Sequence, residues 1–159
     1  MKRLWSPWRM QYLSEERPQG CLFCVKLAEG LDEANLIAFR GERAFVMLNR
    51  YPYNAGHLMV IPYAHVPSTE ELPADTLTEM MLLVNRCLRA LRATMRPEAF
   101  NIGANLGHAA GAGVAEHVHL HVVPRWEGDT NFMPVLADVR VVPELLADTY
   151  RKVRAAMAE

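Results

Sequence analysis

The chain has 159 residues, 51% of them apolar, and a formal net charge of −1. That is enough apolar material to bury the core of one domain unaided. The charges are nearly balanced and the basic residues scattered, which excludes the electrostatic footprint of a protein that grips long nucleic acid. No apolar stretch has the length of a membrane span, and Met1-Lys-Arg-Leu-Trp-Ser-Pro-Trp8 lacks the apolar run of a signal peptide, so a cytoplasmic protein with no membrane partner is expected.

Residues 1–20 carry Trp5, Trp8 and Tyr12 among charges and prolines and read as an arm that packs onto this chain or a second copy; residues 21–159 read as a single domain. Cys21 and Cys24 form a Cys-x-x-Cys pair, which in a reducing compartment binds metal or does redox chemistry rather than forming a structural disulfide. A redox role of the thioredoxin kind wants a βαβ context that is not evident. Zinc would need two further ligands, for which neutral imidazoles serve well.

Leu36 to Arg40 and Ala44 to Leu48 read as strands around a Gly41-Glu42 turn, and His57 to Ile61 as a third, entered through the turn-rich Asn49–Gly56. From Asp75 to Met95, Leu77, Met80, Met81, Val84, Cys87, Leu88 and Leu91 recur at spacings of three and four, predicting a long helix stopped by Pro97, with Cys87 in its core-facing stripe. Ala99 to Ala104 reads as a strand, Asn105 to Gly113 as a Gly- and Ala-rich loop, and Glu116 to Val123 as a strand ended by Pro124. A final helix is expected from Pro143. Strands interrupted by one long central helix and closed by another do not alternate strictly with helices. The expected class is therefore α+β, around an antiparallel sheet.

Successive side chains of a strand point to opposite faces, so His117, His119 and His121 share one face at intervals of roughly 7 Å while Val118, Leu120 and Val122 face the core. Three imidazoles on one face each need partners for a ring N–H and a lone pair. Two chemistries fit: the imidazoles could ligate a catalytic metal, or one could be a nucleophile toward phosphorus while its neighbours orient it and hold phosphate oxygens. The small residues of the preceding loop, whose N–H groups can approach a phosphate closely, favour the second. Arg125, just past the strand, suits either a phosphate contact or a surface salt bridge.

His117-Val-His119-Leu-His121-Val-Val resembles the motif that names the histidine-triad (HIT) superfamily of nucleotide hydrolases and transferases, and Gly56-His57-Leu-Met-Val-Ile-Pro62 resembles its upstream segment. The resemblance implies a HIT-like domain in which His119 is the nucleophile of a nucleotidyl-histidine intermediate. His121 and His57 would contact phosphates, and Asn49 the ribose. Asn105, Gly111 and Gly113 would line the phosphate side of the loop, and the backbone C=O of His117 would hold the second nitrogen of His119. Some bacterial HIT proteins and the related galactose-1-phosphate uridylyltransferases hold zinc with a Cys-x-x-Cys, a downstream histidine and the first triad histidine. The matching set here is Cys21, Cys24, His65 and His117, which leaves no open position, so the zinc would be structural.

Leu4-Trp-Ser-Pro-Trp-Arg-Met-Gln-Tyr-Leu13 and the run Pro124-Arg-Trp126-Glu-Gly-Asp-Thr-Asn-Phe132 are similar to the bacterial branch containing diadenosine tetraphosphate phosphorylases, in which a tryptophan stands at the Trp126 position. The implied reaction is phosphorolysis of a dinucleoside polyphosphate; the alternatives are a HIT-family nucleotide hydrolase and a non-catalytic nucleotide-binding module. The chain departs from its relatives at Ala112-Gly113, where they carry Gly-Ser or a glutamine. Magnesium or manganese would arrive with the polyphosphate, since no acidic cluster is dedicated to it. The family is often dimeric, and a homodimer is expected.

Overall fold

The computed structural model describes residues 20–129 and 144–158. The expected arm, apart from Gly20, and Pro143 lie outside the described residues. In chain order the elements are α1 (Leu22–Ala28), β1 (Ile37–Arg40), β2 (Ala44–Leu48), β3 (Leu58–Pro62), a 3-10 turn (Thr69–Glu71), α2 (Ala74–Met95), β4 (Ala99–Gly103), a second 3-10 turn (His108–Ala110), β5 (Leu120–Arg125) and α3 (Leu146–Ala158). The strands form one antiparallel sheet in the order β1-β2-β3-β5-β4, an α+β architecture. Among the described residues no helix is long and apolar enough to cross a membrane.

Strand alternation divides the apolar residues between two faces. Ala44, Val46 and Leu48 of β2, with Leu58, Val60 and Val122, meet Leu83, Val84, Cys87 and Leu91 of α2 and Val153 and Met157 of α3. Phe45 and Met47, with Met59 and Ile61, turn the other way and meet Phe23 of α1. A register shift between Ile37 and Phe39 breaks the alternation in β1. A bulge of this kind re-aims a side chain, and here Ile37 joins the α1 side while both Ala38 and Phe39 lie on the helix side.

Three departures from expectation bear on packing or on the histidine strand. Leu36 does not open β1; it sits in the left-handed region at φ 61°, because Ile37 N–H reaches back to the Asp32 carbonyl at 2.8 Å and closes a turn there. On α2, Met81 is 51% exposed and Leu83 is buried in its place, so the core-facing stripe runs through Met80, Leu83, Val84, Cys87 and Leu91.

The third difference concerns the histidine strand. β5 starts only at Leu120 and runs through Pro124, with Phe100 opposite Pro124 and Ala99 opposite Arg125. Pro124 is tolerated because its carbonyl faces away from β4, accepting from Asn54 Nδ2 at 3.1 Å, so its missing N–H takes no bond from that ladder. His117 and His119 precede the ladder in an extended segment whose Val118 N–H donates to the Val66 carbonyl at 2.8 Å. The alternation survives, since Val118 and Val122 are in the helix-side core.

Gly56, immediately before His57, has φ 79°, and a Cβ there would lie 2.7 Å from Met95 Sδ, 3.0 Å from Leu91 Cδ2 and 3.2 Å from Pro124 Cγ. Left-handed backbone and overpacking together put the cost of Gly56→Ala at about 3 kcal/mol. Thermal denaturation should show a Tm lower by roughly 6–12 °C; an unchanged Tm would mean that the α2–β5 contact yields without cost.

Candidate active site and adjoining metal centre

Four histidines are drawn together by two segments far apart in sequence, and the hydrogen bonds of each dictate which ring nitrogen carries the proton. His117 is buried, and its Nε2 lies 2.9 Å from the Pro62 carbonyl, which only an N–H can satisfy; Nδ1 is therefore the lone pair. His119, also buried, has Nδ1 2.9 Å from the His117 carbonyl, so Nδ1 is its donor and Nε2 its lone pair. His57 accepts the Tyr53 N–H on Nδ1 at 3.1 Å, which places its proton on Nε2. That Nε2–H donates to His121 Nδ1 at 2.9 Å, leaving His121 with a proton on Nε2.

These rings form a continuous surface. His119 and His121 meet edge to face with centroids 4.8 Å apart, and His121 lies 5.1 Å from His57. Tyr53 stacks on His57 at 4.8 Å with 26° between planes, and remains half exposed. Burial lowers the pKa of His119 against the opposing pull of its bond to the His117 carbonyl. Burial first, and the neighbouring His119 second, push His121 down to about 4. Both imidazoles are thereby kept neutral at neutral pH, the state in which a lone pair is available.

Asn49 follows β2 directly and donates its backbone N–H to the His57 carbonyl at 2.9 Å, so the two residues are neighbours across the strand pair. Its Oδ1 accepts Tyr51 N–H at 2.9 Å, so what the side chain offers a ligand is its Nδ2 donors. Asn105, Gly111 and Gly113 lie on the loop that leaves β4 at Gly103, opposite His121, and returns at His117. Gly111, at φ 87°, ends the 3-10 turn there. Trp126 follows β5, with its N–H on Asp129 Oδ2 at 3.1 Å. Of the two roles open to Arg125 in the sequence, the structure gives the salt bridge: it makes a two-pronged pair with Asp129 at 2.6 and 2.7 Å.

The lone pair of His117 looks away from His119 toward a second cluster. Its Nδ1 is 3.3 Å from Cys21 Sγ, 3.6 Å from Cys24 Sγ and 3.3 Å from His65 Nδ1, and Cys24 Sγ is 3.5 Å from His65 Nδ1. A tetrahedron with metal–ligand bonds of roughly 2.0–2.3 Å has edges of about 3.3–3.8 Å. Burial and the adjacent Cys21 raise the Cys24 pKa, so a thiolate at Cys24 calls for a cation beside it. The four residues fit a metal ion, and among the described residues theirs is the one group of three or more such side chains that does. His119 and His121 do not join His117 in it.

Phe23, which carries no motif signal of its own, stands between the two centres. It occupies the helix that starts at Cys21, is buried, and sets its ring edge-on against both His117 at 5.5 Å and His119 at 5.0 Å. Its only mark in the sequence is its place inside the Cys-x-x-Cys.

Residues 32–128 match the HIT domain family. AP-4-A phosphorylase of Mycobacterium tuberculosis is 41% identical over 159 residues, covering 95% of this chain and 82% of that one. Among solved structures, a Zn-bound histidine triad family protein from Mycobacterium smegmatis superposes with a TM-score of 0.71 at 33% identity, covering 87% of this chain and 94% of that one. A histidine triad nucleotide-binding protein from Sulfolobus tokodaii gives 0.70 at 26% identity, covering 87% and 92%. The paired imidazoles, the segment that delivers His57 and these likenesses agree: the chain belongs to the HIT domain family.

Proposed function

We propose that this chain is a dinucleoside polyphosphate phosphorylase acting through a nucleotidyl-histidine on His119. The observation that carries the reading is the 2.9 Å contact of His119 Nδ1 with the His117 carbonyl, which leaves Nε2 as the lone pair of a neutral ring. The relative named AP-4-A phosphorylase, matched along nearly the whole chain, supplies the substrate class.

In the first step Nε2 attacks an α-phosphorus in line. The N–P bond forms as the P–O bond to the polyphosphate breaks, and with diadenosine tetraphosphate the leaving group is ATP. The positive charge that develops on the ring is met by the His117 carbonyl. Inorganic phosphate then attacks the same phosphorus, the N–P bond breaks, and ADP leaves with His119 restored to its neutral form. Splitting the displacement in this way is the role of covalent catalysis. His121 Nε2–H donates to the phosphoryl oxygens, with His57 behind it, and the Asn49 amide and the Asn105–Gly113 loop hold the nucleotide. Magnesium or manganese accompanies the polyphosphate. Cys21, Cys24, His65 and His117 would hold zinc as its four ligands, and the metal would supply rigidity rather than a water nucleophile.

His119→Ala should lower phosphorolysis by on the order of 10⁴-fold or more, and isotope-labelled phosphate should appear in ADP made by the native protein. Label absent from ADP would replace phosphorolysis by hydrolysis, and turnover undiminished in the variant would remove His119 from the chemistry.

Metal analysis of the purified protein should find about one zinc per chain, with most of it lost in Cys21→Ser together with a lower Tm. Zinc retained at full occupancy in that variant would count against the Cys/His site.

His121 adds a pH dependence. Its pKa is lowered from 6.5 to about 4 in the folded protein, so the unfolded state binds its proton first. The stability that His121 lends is complete above about pH 6.5 and drains as pH falls toward about 4. Tm measured from about pH 7.5 to about pH 5 should fall less steeply in His121→Asn than in the native protein; parallel curves would refute the assignment.

A further inference from the structure

Asp129 lies one residue past the segment matched to the family, residues 32–128. Its side chain is only 10% exposed, and its carboxylate gathers donors from two sides of the proposed nucleotide site. Arg125 contributes Nε at 2.6 Å and Nη2 at 2.7 Å, Trp126 its backbone N–H at 3.1 Å, and Asn54, 75 residues earlier, its Nδ2 at 2.8 Å. Arg125 is steadied in turn by Asn101 Oδ1 at 2.9 Å. Only an ionised carboxylate, which accepts and never donates, can serve all four donors.

The Asn54 arm is what distinguishes this arrangement from a simple ion pair. Asn54 Nδ2 also donates to the Pro124 carbonyl at 3.1 Å, its Oδ1 accepts Ala55 N–H at 3.2 Å, and its carbonyl accepts His57 N–H at 3.1 Å. The turn is thus clamped to the end of β5 at one side and to His57 at the other. It is this turn that aims Tyr53 N–H at His57 Nδ1 at 3.1 Å, and the proton so forced onto His57 Nε2 is the one given to His121 at 2.9 Å.

We propose that Asp129 is a positioning residue for the phosphorolysis proposed above: through Asn54 it holds the turn that sets the protonation pattern of His57 and His121, and through the Trp126 N–H it holds the opposite wall. The activity part of this inference rests on that functional reading; the ring-protonation part does not. Oδ2 takes the Asn54, Trp126 and Arg125 Nε donors and Oδ1 takes Arg125 Nη2, so Asp129→Ala, which removes both acceptors, releases the Asn54 arm.

The test is nitrogen NMR of the histidine rings in the native zinc-loaded protein, in Asp129→Ala and in Asn54→Ala, the last breaking the same link while leaving the Arg125–Asp129 pair in place. The native rings should show the proton on Nε2 of His57 and His121 and on Nδ1 of His119. In each folded variant His57 and His121 should become mixtures of the two forms while His117 and His119 stay as they are. Phosphorolysis should fall about ten- to hundredfold in kcat/KM. Unchanged His57 and His121 in the folded variants would overturn the proposal, as would a change spread equally over all four rings, which is what general loosening gives. If Asp129→Ala does not fold, Asn54→Ala alone decides. Because the spectra need no substrate, a native protein without phosphorolysis would refute the functional reading while leaving this measurement valid.

Discussion

A peptide carbonyl decides the chemistry of this site. The C=O of His117 accepts the Nδ1 proton of His119, and that one bond leaves the ring a single lone pair, on Nε2, with a defined direction, the lone pair that the proposed reaction uses. Its neighbours are arranged by the same means: the Pro62 carbonyl fixes His117, and the Tyr53 N–H fixes His57 and through it His121. Backbone groups are poor targets for mutation, since no side-chain replacement removes them, and the His117 carbonyl is flanked by the bond from Val118 N–H to the Val66 carbonyl. Burial then keeps His119 and His121 uncharged, so orientation and protonation are secured by separate causes.

What could be read from the letters was whatever repeats or alternates. The helix-facing alternation of Val118, Leu120 and Val122, the three-and-four spacing of α2 and the succession of strands and helices along the chain are local patterns set by backbone geometry, and they carried the fold class, whereas the order of the strands within the sheet was not read. The division of the triad between His117 and its two successors came from resemblance, because alternation places the three imidazoles on one face without telling them apart. Boundaries were displaced where one hydrogen bond outweighed the pattern, as at Leu36, or where proline's missing donor fell on an unladdered side, as at Pro124. The Asn54–Asp129 contact and the position of Phe23 left no local trace: the first joins residues far apart in sequence, and the second sits in a seven-residue helix too short for a periodic signal.

The two faces of the sheet are covered on different terms. The helix side is closed by two amphipathic helices of 22 and 13 residues, whose packing is ordinary hydrophobic burial. The other side presents Phe45, Met47, Met59 and Ile61 beneath Phe23. Among the described residues, the helix that brings Phe23 there is far below the length at which a helix holds itself together in water.

What anchors that cover is the Cys21–Cys24 cluster at its start, tied to His65 and His117. An ion in this position would tie that short helix to the segments carrying His65 and His117, and its supply would govern how firmly the helix is held. The same ion would set the ring edge of Phe23 against His119. Loss of the ion would then reach His119 through the seat of Phe23, so that a metal standing outside the proposed reaction would still bear on it.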